Sequence, residues 1–269
     1  MPTSAVLRLQ IERSLADRFP AALSPAPRTI REVAATGIQV VDELLEGGLP
    51  VGAISELTGA ESSGRTSLAL AFVAHRIAEG RVCAWVDGND CFDPESAAAN
   101  GVCLRQLLWV RCRSVEAKPK QREHPWARLD QALRATDLLL QAGGFAAIVL
   151  DLGRVACEHG NRIPAATWFR FRQAADRARC SLVVLGRAAY AQSSAAVVLE
   201  CSGRQAKRAG GTVLRGLEYE VVRRRERLLP APQGMRKPGL PTTGLSRWGG
   251  KSPVSTWTAL PTWEDVRRA

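Results

Sequence analysis

Nine residues, Gly59-Ala60-Glu61-Ser62-Ser63-Gly64-Arg65-Thr66-Ser67, constrain this chain more than any other stretch. The apolar segment Gly52 to Leu57 leads into them, and an apolar-periodic run from Thr66 to Glu79 follows. Strand, glycine-bounded loop and helix in this order form a phosphate-binding loop of the pattern G-x-x-x-x-G-K-[ST], except that Arg65 holds the lysine position. The two glycines permit a tight turn that aims consecutive backbone N–H groups at phosphate oxygens, and the helix adds its positive end. A chain built on this unit is expected to fold as α/β, with a mainly parallel twisted sheet, flanking helices and the loop at the strand ends.

The rest of the sequence keeps the same alternation. Val82 to Val86, Leu107 to Val110, Phe145 to Leu150 and Ser181 to Leu185 are short apolar runs, as expected of strands covered on both faces. Between them, Pro94 to Asn100, Pro125 to Gln141 and Pro164 to Arg179 have helical periodicity. Ala195 to Glu200 and Thr212 to Val222 read as further strands that can pair as a hairpin. Ahead of the core, Ser4 to Leu23 carries an apolar stripe ended by prolines, giving an N-terminal amphipathic helix and linker over 1–30. The core then covers 31–229. From about Pro230 the sequence mixes Pro, Gly, Ser and Arg, a composition expected to be disordered alone over 230–269. This tail nevertheless holds Trp248, Trp257 and Trp263, whose indoles suit docking to a partner.

The 269 residues carry a formal charge of +11 and a pI near 10.0. From Arg204 onward there are 14 Lys/Arg against 5 Asp/Glu, so the excess is concentrated in the C-terminal quarter. That footprint suits single-stranded DNA or an acidic protein surface. No apolar run approaches the roughly 18 residues of a membrane span, and no secretory signal is visible, so a cytoplasmic protein with no membrane partner is expected. The seven cysteines show no C-x-x-C spacing and read as buried reduced thiols. His75, His124 and His159 are scattered and read as surface or packing residues.

In a nucleotide site of this kind Thr66 would contact Mg²⁺. Asp151, closing the run Ala-Ile-Val-Leu-Asp, would hold the metal shell as a Walker B carboxylate. The expected cofactors are therefore ATP and Mg²⁺. Arg65 keeps the charge of the usual lysine. It is longer, planar and forked, however, so binding can survive while transition-state stabilisation is expected to fall by about a hundredfold in rate.

Gly59-Ala-Glu-Ser-Ser-Gly-Arg-Thr-Ser67, followed by Val82-Cys-Ala-Trp-Val-Asp-Gly-Asn-Asp-Cys-Phe-Asp-Pro94, resembles the RecA recombinase core, whose loop reads GPESSGKTT and whose second segment reads DAEHALDP. The resemblance covers roughly Thr36 to Pro230. It implies that the family's water-activating Glu falls on Asn89, an amide that cannot act as a base, leaving no catalytic residue at that position. The nucleotide-sensing Gln falls near Arg187. The mobile DNA-binding loop is reduced to a few residues around Ala188 to Ser194. Arg223, Arg224 and Arg225 fall where the family places lysines that reach a neighbour's nucleotide, and the N-terminal helix is similar to its oligomerisation helix. Together these departures look like the ImuA group, RecA-like accessory proteins of the bacterial mutagenic translesion-synthesis cassette. That resemblance implies a factor in SOS-induced DNA-damage tolerance, nucleoid-associated after damage. It would bind nucleotide with weak or absent hydrolysis. Its partners would be an ImuB-like inactive Y-family polymerase, an error-prone replicative-type polymerase, RecA itself and further copies of the chain. An active DNA-dependent ATPase or recombinase, and a cell-division inhibitor of the SOS response, remain open as alternatives.

Overall fold

Short β-rich runs alternate with amphipathic helices, and the computed structural model shows the sheet this alternation builds. The structure describes residues 32–112, 125–209, 213–226 and 254–259. The elements are β1 (Val33–Ala34), α1 (Gln39–Leu44), β2 (Leu49–Pro50), β3 (Ile54–Thr58), α2 (Arg65–Ala78), β4 (Cys83–Asp87), α3 (Pro94–Ala99), β5 (Leu107–Arg111) and α4 (Pro125–Ala142). They continue with β6 (Ala147–Asp151), α5 (Cys157–Gly160), α6 (Ala165–Ala178), β7 (Ser181–Gly186), β8 (Ala195–Ala209), β9 (Val213–Glu226) and β10 (Val254–Ala259). Eight strands form one sheet in the order β10-β9-β8-β3-β7-β6-β4-β5. The run from β8 to β5 is parallel, whereas β9 and β10 add antiparallel pairs at one edge. The expected α/β core with a mainly parallel sheet is therefore what the chain forms.

Both faces of the parallel part are covered, which explains the uninterrupted apolar runs. Alternate residues serve opposite layers. Cys83 and Trp85 of β4, with Val183 and Leu185 of β7, pack with Leu68, Phe72 and Val73 of α2. Ala84, Val86, Leu182 and Val184 pack on the other side with Leu129 of α4 and Trp168 and Phe171 of α6. Burial pushes the thiols of Cys83, Cys180 and Cys201 up to about 11, about 12 and about 12, so they behave as small apolar side chains.

Register decides where the chemistry can sit. Asp87 at the end of β4 lies opposite both Arg111 of β5 and Asp151 of β6, and Asp151 lies opposite Leu185 of β7. Thr58, the last residue of β3, lies opposite Gly186. The polar strand ends thus form one row at the carboxyl edge, where open α/β sheets hold their ligands.

The tail departs from expectation at Val254–Ala259. These six residues pair with β9 and place Trp257 opposite Tyr219, with ring centroids 4.8 Å apart. The disordered reading of 230–269 is corrected for this segment, and Trp257 folds back on its own sheet. Composition averaged over the tail hides the β-prone run Val-Ser-Thr-Trp-Thr, to which the edge of β9 offers backbone partners. Trp248, Trp263 and the N-terminal helix expected at 4–23 lie outside the described residues.

Phe72 is fully buried between α2 and the sheet. Its replacement by Ala is expected to destabilise the chain by about 3–5 kcal/mol in urea unfolding without changing the far-UV spectrum of the folded state.

Candidate nucleotide site at the carboxyl edge of the sheet

The loop after β3 turns as its glycines require. Gly64 has φ +85°, and a Cβ there would lie 2.5 Å from Cδ1 of Tyr219, so both conformation and space exclude other residues. Gly64 is the N-cap of α2, and the first helical amides beyond it have no intrahelical acceptor. The Ser63 hydroxyl is buried with no hydrogen-bond partner among the described residues. Thr66 is exposed and shares a cleft of about 380 Å³ with Glu61, Ser62, Arg65, Asn89, Asp151 and Arg154. The orphaned Ser63 hydroxyl, the free helix start, and Thr66 and Asp151 in one cleft fit a phosphate with its cation: Gly59 to Ser67 would hold the phosphates, and Thr66 and Asp151 the Mg²⁺.

Arg65 turns its guanidinium towards protein carbonyls. Nη1 donates to Gly59 O and to Ala60 O at 2.8 Å, while Nη2 donates to Gly153 O at 2.8 Å. One side chain, only 7% exposed, therefore ties the loop after β3 to the loop after β6. A compact ammonium cannot span both walls in this way, whereas a planar fork can. The close approach also requires Gly153, where a Cβ would sit 2.8 Å from Arg65 Nη2.

Two carboxylates and an amide divide the remaining work. Asp151 accepts the Gly153 N–H at 2.8 Å. Burial raises its pKa to about 6 and nearby Asp87 adds to the rise, while the Gly153 N–H, Arg65 and Arg154 pull it down. Asp87, fully buried, accepts from the N–H groups of Asn89 and Cys91 with Oδ1, at 3.2 and 3.0 Å, and from Phe92 with Oδ2 at 2.8 Å. It is the post around which the turn after β4 is wound. Asn89 is the residue at the expected base position, and its Nδ2 donates to the backbone oxygen of Asp151 at 3.2 Å. It staples two strand ends together.

Glu56 is a residue that motif reading passed over. It is 1% exposed in the middle of β3, and its Oε1 accepts the N–H groups of Tyr190 and Ala191 at 2.6 and 2.8 Å. A charged residue inside the apolar run Ala-Ile-Ser-Glu-Leu-Thr was the available signal. Its effect is to fasten the segment around Ala188 to Ser194, with Tyr190 and Ala191 2% and 1% exposed. Arg187, expected at the sensing position, pairs with Glu61 of the phosphate loop at 2.5 Å, an exposed pair of small energetic weight.

In the basic run after β9's midpoint, Arg223 is half-buried and Arg224 stays at the surface. Arg223 Nη1 donates to Leu44 O at 3.1 Å, and Arg224 donates to Glu200. The structure does not gather these residues at the cleft. Arg225 takes part through its backbone in the pairing with Val198. Among the described residues no cluster of His, Cys, Asp and Glu could hold a metal ion without further ligands, and no helix is long and apolar enough to cross a membrane.

The raised pKa of Asp151 has a sign that can be measured. Between about pH 4 and pH 6 the folded chain binds a proton that the unfolded chain has released, so stability falls as pH rises through this window and then levels off. Asp151→Asn, which keeps an oxygen for the Gly153 N–H, is expected to flatten that slope. It should also raise stability at pH 7.5 by about 2 kcal/mol in urea unfolding.

The comparison with known proteins agrees with this geometry. The profile of the RecA N-terminal domain matches residues 8–157. Protein RecA of Crocosphaera subtropica is 35% identical over 142 residues, which is 53% of this chain and 37% of that protein. Protein RecA of Allorhizobium ampelinum is 37% identical over 144 residues, 53% of this chain and 36% of the relative. Protein RecA of Nostoc sp. is 41% identical over 99 residues, 37% of this chain and 28% of the relative. The matched stretch thus spans about a third of the length of these relatives. With more than half of its residues inside the domain profile, and the phosphate loop within the match, the chain belongs to the RecA family.

Proposed function

We propose that this chain is a RecA-like accessory factor in DNA-damage tolerance, of the ImuA type. It works by binding partners, and its nucleotide site holds ligand without efficient turnover. The observation that carries the reading is the state of the site's polar groups: Arg65 is committed to three backbone carbonyls and Asn89 to the carbonyl of Asp151. Hydrolysis needs a cation on the transferring phosphate and a base for water, each of which contributes about a hundredfold or more. The cradle for phosphate and the Thr66–Asp151 pair for Mg²⁺ remain, so ATP·Mg²⁺ acts as a structural or regulatory ligand. The short segment fastened by Glu56 supports the same reading, because a segment held by buried contacts is poorly suited to the large rearrangements of a DNA-stimulated motor.

The partners in this proposal are an inactive Y-family polymerase of the ImuB type, an error-prone replicative-type polymerase, RecA, and single-stranded DNA met by the basic tail. Further copies of the chain would join through the N-terminal helix, and the assembly would form on the nucleoid after damage. The undescribed tail residues, including Trp248 and Trp263, remain the proposed dock.

Steady-state ATPase assays with and without single-stranded DNA test the reading. Wild-type turnover is expected to be at least about a hundredfold below that of an active recombinase under the same conditions, with ATP·Mg²⁺ binding still detectable by titration. Arg65→Lys alone should gain little, whereas Arg65→Lys combined with Asn89→Glu should gain more than tenfold. Robust DNA-stimulated turnover in the wild type, abolished by Asp151→Ala, would overturn the proposal.

A further inference from the structure

Trp257, Tyr219 and Gly64 make a continuous packed line from the last described strand to the phosphate loop. Trp257 lies opposite Tyr219 across β10 and β9, their rings 4.8 Å apart. Tyr219 is 5% exposed, and its ring fills the space over Gly64 at the start of α2. Gly64 is held in the left-handed conformation that starts the helix, and Leu68 N donates to Gly64 O at 2.9 Å. A displacement of Tyr219 therefore reaches the amides that form the phosphate cradle.

Two observations indicate that β10 can leave. Its indole N–H at Trp257 is buried with no hydrogen-bond partner among the described residues, a cost that release into water removes. β10 is also the outermost of the eight strands, six residues long, and among the described strands it pairs with β9 alone, so one row of its backbone groups has no strand partner. Besides backbone pairing, β10 is held by a hydrogen bond from Lys207 Nζ to Thr258 Oγ1 at 3.0 Å, by Trp257 packing on the core and by contact with α1.

We propose that β10 is a releasable strap on the phosphate loop, with Trp257 acting through Tyr219 as the positioning residue that sets the conformation of Gly64 and the first turn of α2. Docked, the strap keeps the cradle formed. Released, it lets Tyr219 move and loosens the cradle. A partner that captures the strap would thereby change the affinity of the loop for phosphate, and by reciprocity an occupied loop would tighten the strap.

Hydrogen exchange on the full chain tests this without nucleotide or partner, so its failure leaves the accessory-factor reading standing. Trp257→Ala is expected to speed exchange at residues 62–68 by about tenfold or more and to leave the β6 amides 148–151 unchanged. Trp257→Phe, which keeps a ring against Tyr219, should stay within about threefold of wild type. Loop exchange within twofold of wild type in Trp257→Ala, whether or not residues 255–258 exchange faster, would overturn the strap. If Trp257→Ala does not fold, the wild type decides in low urea. Opening of 255–258 and 62–68 with the same denaturant dependence supports the coupling, and opening of 255–258 alone overturns it.

Discussion

Everything at the carboxyl edge of this sheet depends on how one guanidinium is solvated. Arg65 starts α2 beneath the phosphate loop, where little water reaches it, and a buried charge must find compensating dipoles. It finds three carbonyls, two within its own loop and one at Gly153 beyond β6. The fork fixes the separation of the two loops, and Gly153 is the residue that lets it come close enough. A lysine at this position would offer one point of charge to one wall and leave the gap to be bridged by a ligand.

The same inward turn is visible in the acids. A catalytic carboxylate has to keep lone pairs available to a metal or a proton. Asp87 spends its oxygens on three backbone N–H groups, and Glu56 spends one on two. Buried hydrogen bonds of this kind leave no donor unsatisfied and hold the loops in place. What they stabilise is the architecture of the edge, at the expense of its freedom to respond. Asp151 alone remains poised, with burial and the neighbouring Asp87 opposing its ionisation and Arg65 and Arg154 favouring it.

The sequence made the scaffold legible because the scaffold is written in periodicity. Every core strand from β3 to β7 was marked by an apolar run of the right length, and the loop by its two glycines. Asp151 was recognisable because it ends a strand. What could not be read was the direction in which long side chains point. Arg65, Arg187, Arg223 and Arg224 all looked like cations waiting for a ligand or partner, and each reaches a group brought near only by the fold. Tyr219 gave no local sign that it covers Gly64, since the two are 155 residues apart and meet only when β9 is placed in the sheet. The strand at Val254–Ala259 was hidden by its surroundings in the sequence, because its partner edge exists only once β9 has formed.

This redistribution of cations changes what the charge of the chain means. Arg204 pairs with Glu220 at 2.7 Å, Lys207 lies 3.9 Å from Glu218, and Arg224 meets Glu200, so the hairpin balances much of its own charge. Seven Lys/Arg against two Asp/Glu then remain in residues 227–269. Any attraction for an acidic partner would therefore be concentrated in residues 227–253 and in those after β10. An acidic surface drawn to that charge would approach the ends of the one strand that lies over the line from Trp257 to Gly64. Electrostatics sets the rate of such encounters more than their final affinity. Under the strap proposal, the basic sequence would bring a partner to β10, and the aromatic pair would decide what the encounter does to the phosphate loop.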